Sequence, residues 1–323
     1  MKRNTLILVA LVVVLWGAWY LFSREEKHDL SVMERGQFFH ADSTAVDSIE
    51  IKYATYCQLV RRDGAWQVVF PDWTYPADLR IVSDIFRFTN DMVLENLIST
   101  KAEKHEAFRV DTVRGTVLRF FSHGNPAAEF VMGKGGADMN HTYIRQLHSD
   151  SVYMARGDFQ RVFRRVPADW PSKVLFDADS SQISRISWIT KDAKIWVERD
   201  PAGSWKVYRD GAAAGLPVDT TVFNARLRYM CPLHTDAFAL EGSGAVANSD
   251  SVALQLILDT KDGRADTLLW NAPKGNDTRW FAFHPGRPKP LFIFYASSYD
   301  RMKGIYADLV MKGNTKSAPA PGQ

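Results

Sequence analysis

The chain has 323 residues, enough for about two domains at roughly 100–200 residues each. Hydrophobic residues make up 46% and charged residues 24%, a globular composition that excludes disordered and fibrous classes. The formal net charge is +3, and two of the basic residues, Lys2 and Arg3, stand before the first apolar run; the near-neutral remainder lacks the strongly basic face of a nucleic-acid binder.

Leu6 to Phe22 contains no charge. At 1.5 Å per residue it would span about 26 Å as a helix, close to a hydrocarbon core of about 30 Å, so residues 1–23 are predicted to form a transmembrane anchor. Leu6, Leu15 and Phe22 belong to its apolar body. Trp16, Trp19 and Tyr20 lie toward its far end, where amphipathic rings favour the headgroup region. Lys2 and Arg3 resist translocation, which places the N-terminus in the cytoplasm and the bulk of the chain on the other side. A cleaved signal peptide is the competing reading. Trp19, Tyr20, Leu21 and Phe22 are bulky where cleavage wants small residues, and no Cys follows to carry a lipid.

Residues 24–45 read as a polar stalk. From Val46 to Val69, apolar alternation and a turn at Asp63-Gly64 predict three short strands. The same pattern returns from Ile183 to Tyr208, where Ile186, Trp188, Asp200 and Trp205 answer Ile49, Ile51, Asp63 and Trp66. Trp66 and Trp205 are expected in the core, facing inward from matching strands.

A Pro-x-Asp step follows in both copies, Pro76-Ala77-Asp78 and Pro217-Val218-Asp219. Asp78 and Asp219 are expected to cap helices, because a carboxylate there can accept the free N–H groups of the first turn. Val82, Ile85, Phe86, Met92 and Val93 form the apolar face behind the first, and Val222, Phe223, Leu227 and Met230 that behind the second. The later halves also correspond: Thr116–Phe121 with Val252–Ile257, Glu129–Met132 with Thr267–Trp270, Thr142–Arg145 with Trp280–Phe283, and Val152–Met154 with Leu291–Ile293. A short helix with Phe159 and Arg161, or Tyr299 and Arg301, ends each copy.

This order predicts an α+β fold of two tandem repeats, each a mainly antiparallel β-sheet with one long and one short helix. The boundaries are 46–165 for the first repeat, 166–182 for a connection, 183–311 for the second repeat and 312–323 for a disordered tail.

Candidate chemistry is thin. Gly133-Lys134-Gly135-Gly136 lies between strands, without the Ser or Thr and the following helix of a phosphate loop, and reads as a hairpin loop. Gly242-Ser243-Gly244 lacks the first glycine of a nucleophile elbow, because Glu241 stands there. His141 and His148 need not share a strand face, and no H-x-x-x-H occurs, so no metal site is expected. Cys57 and Cys231 are not repeat equivalents; they read as separate buried thiols, with a disulfide as the alternative. No catalytic residue and no cofactor are expected.

The Ile49/Ile51 strand, Gly64-x-Trp66-x-Val68, Pro76-x-Asp78 and the hairpin Gly133-Lys134, Tyr143-x-Arg145, Val152-Tyr153 resemble the bacterial family called domain of unknown function 4340. The resemblance covers roughly residues 1–305. In the second copy Asn271 stands for the glycine and Phe283 for the arginine. The resemblance implies a membrane-anchored envelope protein, single-pass in the bacterial inner membrane with its bulk periplasmic. It also implies partners among ABC-type transporter subunits related to gliding-motility components. The expected function is a non-enzymatic accessory or scaffold of such a complex. A cell-wall or lipid binding module and an envelope hydrolase are the alternatives. A topology reporter fused after Phe22 is expected to be active on the extracytoplasmic side; activity confined to the cytoplasm would refute the orientation.

Overall fold

A computed structural model describes residues 42–138, 140–240 and 245–303. The anchor residues Leu6, Leu15, Trp16, Trp19, Tyr20 and Phe22, the stalk up to residue 41, Gly242-Ser243-Gly244 and residues 312–323 lie outside the described residues. Among the described residues no helix is long and apolar enough to cross a membrane.

The fold is mostly antiparallel β-sheet, consistent with an α+β class. One nine-stranded sheet contains β1 (Ser48–Lys52), β2 (Tyr56–Arg62), β3 (Ala65–Val69), β4 (Thr74–Pro76), β5 (Val93–Ser99), β6 (Thr116–Ser122), β7 (Asn125–Gly135), β8 (His141–Gln146) and β9 (Val152–Arg156). Its order is β4-β3-β2-β1-β6-β7-β8-β9-β5. After β10 (Val174–Phe176), a second nine-stranded sheet begins with β11 (Ile183–Ile189), β12 (Lys194–Arg199), β13 (Trp205–Arg209) and β14 (Ala212–Pro217). After β15 (Leu233–His234), which pairs with β10, come β16 (Ala237–Ala239), β17 (Val252–Thr260), β18 (Ala265–Asn271), β19 (Trp280–His284) and β20 (Arg287–Phe294). The order here is β14-β13-β12-β11-β17-β18-β19-β20-β16, the same path strand for strand.

Alternation sets the register. Ile49 and Ile51 of β1 pair with Phe120 and Leu118 of β6, so all four inward residues share one face. Ile186 and Trp188 of β11 pair with Leu258 and Leu256 of β17 in the same way. The β2–β3 turn is Asp63-Gly64 with φ of 50° and 80°, the two left-handed residues of a type I′ hairpin.

The first helix, α1 (Leu79–Asn90), starts at Asp78. The Asp78 carboxylate accepts the Arg80 N–H at 2.9 Å, and its carbonyl accepts from Ile81 and Val82. The Arg80 guanidinium grips the same carboxylate, which holds it below its ordinary pKa. Ile81, Val82, Ile85 and Phe86 form the buried stripe. Val93, expected on this helix face, begins β5 and is exposed, because the chain turns at Asp91 and the helix has ended at Asn90. Two short helices follow, α2 (His105–Phe108) and α3 (Gln160–Phe163). The helix after β14, α4 (Thr220–Leu227), is shorter than α1. Asp219 caps it, accepting the Thr221 and Val222 N–H groups at 2.9 and 3.0 Å. Its buried residues are Phe223 and Leu227; Val222 is exposed and Met230 lies beyond its end.

The described residues fall into two compact units, one drawn from residues 42–56 and 83–164, the other from residues 57–82 and 165–303. In the first, Val110, Val117, Val131 and Val152 form a buried cluster that Ile98, Phe108, Tyr143 and Leu147 pack against. Phe86 of α1 meets Phe120 edge-on, with ring centroids 6.5 Å apart. In the second, a larger core contains Trp188, Trp270, Leu256 and Phe292, and Trp73 and Tyr75 pack against it. Tyr75 meets Phe238 and Phe292 edge-on at 5.4 and 5.8 Å. The backbone joins in: the Asp78 N–H donates to the Trp170 carbonyl at 3.0 Å, and the Ser172 N–H to that of Pro76 at 2.8 Å. The segment Cys57–Val82 therefore packs with residues far later in the chain.

The outer strands are short or irregular. β4 and β16 have three residues each, and β4 ends in Pro76. β5 carries two register shifts against β9, and β13–β14 carries one. Such features leave an edge a poor template for further strand pairing. Replacing Asp78 or Asp219 by Ala should destabilise the fold by about 0.5–2 kcal/mol each, read as a lower urea midpoint, because each removes a cap.

Candidate functional site

The hairpin β7–β8 holds four of the motif residues singled out from the sequence, Gly133, Lys134, Tyr143 and Arg145, and the segment before β6 lies across it. Gly133, Lys134 and Gly135 are the last residues of β7 and not a loop, because strand pairing continues to Gly135↔Thr142. A Cβ at Gly133 would collide with the Phe108 carbonyl oxygen and press on Val110. Gly115, where the segment turns into β6, is equally confined, with the Asp111 and Arg109 carbonyls 2.7 and 2.8 Å from a would-be Cβ. Glycine is required at Gly133 because backbone passes over backbone there.

Arg145 of β8 secures the same segment. It is buried, at 6% exposure, yet among the described residues its hydrogen bonds go to carbonyls and to no carboxylate. Its Nε donates to the Val110 carbonyl at 2.6 Å. Its Nη1 donates to the carbonyls of Gln146, Leu147 and Ser149 at 3.1, 2.7 and 3.2 Å. A guanidinium is suited to this because it presents five N–H donors in a rigid plane. Burial pulls its pKa down, against the attraction of Asp150 and Asp111. Tyr143 packs on Phe108 with ring centroids 4.7 Å apart, and the Lys134 ammonium lies 5.7 and 5.8 Å from the Phe108 and Tyr143 rings.

The second sheet reaches a similar end with other chemistry. Asn271, in the place of Gly133, is buried and ties down the segment before β17. Its Nδ2 donates to the Asn248 and Ser251 carbonyls at 2.7 and 3.1 Å, and its Oδ1 accepts the Asn248 N–H at 3.0 Å. Phe283, in the place of Arg145, is a buried apolar residue.

A charged cluster lies at the opposite end of β8. His141 Nδ1 is 2.7 Å from Asp138 Oδ2, and its Nε2 is 2.7 Å from Glu95 Oε2. Arg156, directly across from His141 on β9, grips the other Glu95 oxygen. Glu95 is the extra residue of a register shift in β5, between the pairs Leu94↔Ala155 and Asn96↔Met154. A bulge turns a side chain out of the alternation, and here it presents the carboxylate to β8 and β9. Burial alone would raise the Glu95 pKa, but Arg156 and His141 outweigh it and hold it below the ordinary value. His141 likewise holds the Asp138 carboxyl down.

The other sequence-selected residues have contacts of their own. Trp66 is buried in β3, and Trp205 in β13 donates from Nε1 to Asn224 Oδ1 at 2.8 Å while its ring meets Phe223. Cys57 and Cys231 are free buried thiols, and burial pushes each up to about 12, which keeps them protonated and poorly nucleophilic. His148 contacts Glu129 at 3.2 Å. Among the described residues no group of three or more His, Cys, Asp or Glu side chains could hold a metal ion. Sequence reasoning missed Glu95, Asp138 and Arg156. The signal for Glu95 was a lone carboxylate inside the apolar run Val93–Ile98.

Gly133→Ala should lower stability by about 1–3 kcal/mol, since the added methyl must displace backbone. Asn271→Ala should cost about 1–3 kcal/mol by leaving buried backbone groups unpaired. Urea unfolding measures both.

The family described as Domain of unknown function (DUF4340) matches residues 66–256, which run from β3 to β17 and include the whole β7–β8 hairpin. Comparison with curated proteins and with solved structures found no match to either. With more than half of its length matched, and with the hairpin residues of that family's pattern closing on one another, the chain belongs to the family described as domain of unknown function DUF4340.

Proposed function

We propose that this is a non-enzymatic, membrane-anchored envelope protein, built as one α+β module repeated in tandem, that serves as an accessory or scaffold of an ABC-type transport complex. The observation that carries this reading is the internal use of the motif. Arg145 directs its donors to four carbonyls of its own chain, and Gly133 makes room for backbone, so the motif shapes a surface. The identical strand order of the two sheets supports the tandem module. The apolar run Leu6–Phe22 supports an anchor that confines the protein to the plane of the membrane. The link to ABC-type transporters related to gliding-motility components rests on the family resemblance and is an analogy.

Because the outer strands are short or irregular, partner recognition is assigned to faces and loops and not to strand addition. Crosslinking in intact cells followed by detergent extraction should recover transporter subunits with the full-length chain. Recovery of the chain alone under conditions that preserve a known membrane complex would overturn the reading.

A second reading, a cell-wall binding module, is favoured by one feature. Trp196 and Tyr208 stack with centroids 5.1 Å apart on the sheet face opposite Ile195 and Val197. That reading expects the chain to pellet with isolated peptidoglycan and expects Trp196→Ala to abolish the pelleting.

A further inference from the structure

We propose that His141 is a proton-operated latch that ties the edge strand β5 and the β7–β8 turn to β8. The argument is one of donor count. Both imidazole nitrogens lie 2.7 Å from carboxylate oxygens, Asp138 on the turn and Glu95 on β5. A carboxylate only accepts, so both contacts are hydrogen bonds only when both nitrogens carry protons, as in the imidazolium. The neutral ring has one N–H and one lone pair. On losing its proton it keeps one carboxylate and sets its lone pair against the other, which is then released.

The groups facing His141 are few. Asp138 faces it from the turn, Glu95 from β5, and Arg156 from β9 through its grip on Glu95. With His141 charged the four groups balance; with it neutral the cluster carries one uncompensated negative charge. The backbone around the ring does not depend on its charge. The Gly136 N–H donates to the His141 carbonyl at 2.7 Å, and the Gly157 N–H to that of Asn140. The titrating part of the tie is therefore the side chain alone.

Its position gives it leverage. β5 lies at the outer end of the sheet order, and Glu95 is its bulged residue, so the strand is held at that point by side-chain bonds where the ladder is interrupted. The hydrogen bond to Asp138, then that to Glu95, raises the His141 pKa above its ordinary value of 6.5. The sign follows. The tie stabilises fully below the unfolded value and is lost as the pH rises through the raised folded value. The latch is closed in mild acid, where both carboxylates remain ionised, and open in alkali. This inference does not depend on the scaffold reading.

The test uses the full-length chain in detergent, with ¹⁵N-labelled histidine. At about pH 6 both ring nitrogens of His141 should be protonated, with a titration midpoint above that of an ordinary histidine. After correction for intrinsic rates, amides of Val93–Ser99 should exchange several-fold more slowly at about pH 6 than at about pH 9. His141→Gln should erase that difference, and Asp138→Asn, a milder change on an exposed turn, should lower the His141 midpoint. A midpoint at or below the ordinary value, or a β5 exchange profile that keeps its pH dependence in His141→Gln, would overturn the proposal. If His141→Gln fails to fold, the midpoint in Asp138→Asn decides alone.

Discussion

The first sheet depends on how the segment before its central strand β6 is held down. A stretch of irregular backbone crossing a sheet carries N–H and C=O groups that the sheet cannot pair, and leaving them buried and unpaired costs about 1–3 kcal/mol each. Arg145 meets the Val110 carbonyl of that segment and, with the same side chain, the Gln146 carbonyl at the end of β8 and the Leu147 and Ser149 carbonyls of the β8–β9 connection. Gly133 removes the steric obstacle, since any side chain there would meet the Phe108 carbonyl. With both in place, Val110 and Phe108 can reach the cluster of Val117, Val131 and Val152. The sheet is then covered on this face by the segment, while Phe86 of α1 packs on Phe120.

The second sheet has the same order but meets its constraint differently. Asn271 offers a donor and an acceptor to the loop at Asn248 and Ser251, so side chain replaces close backbone approach. With that loop held by an amide, the position of Arg145 is taken by Phe283, a buried apolar residue. Identical topology thus rests on different local chemistry. A motif residue in one half need not have a counterpart in the other for the strand path to persist.

The charged groups around the first sheet act mostly on the chain itself. Arg145 is a buried cation solvated by carbonyls, Asp78 and Arg80 close the start of α1, and the Glu95–His141–Asp138–Arg156 cluster ties three strands and a turn. The last of these differs in kind, because a histidine between two carboxylates changes its bonding capacity over an accessible pH range and an arginine does not.

Much of the placement of strands along the chain was legible in the sequence, because period-two alternation and the landmarks Trp66, Trp205, Asp78 and Asp219 are local signals. β5 was not, since Val93–Ser99 carries a glutamate and an asparagine that break the alternation, and its place at the end of the sheet comes from pairing with the distant β9. The glycine-lysine run was mistaken for a loop because glycine marks both turns and close approach, and only the position of Phe108 tells which applies. His141 could be weighed in the sequence only as a metal ligand; its two carboxylates arrive from a bulge and a turn. The sequence by itself determined where strands and capped helices begin, because propensity and capping act within a few residues. The tertiary structure alone decided which strand closes the sheet, why Gly133 must be glycine and what surrounds Arg145 and His141. Those are contacts between residues far apart in the chain, and no local pattern encodes them.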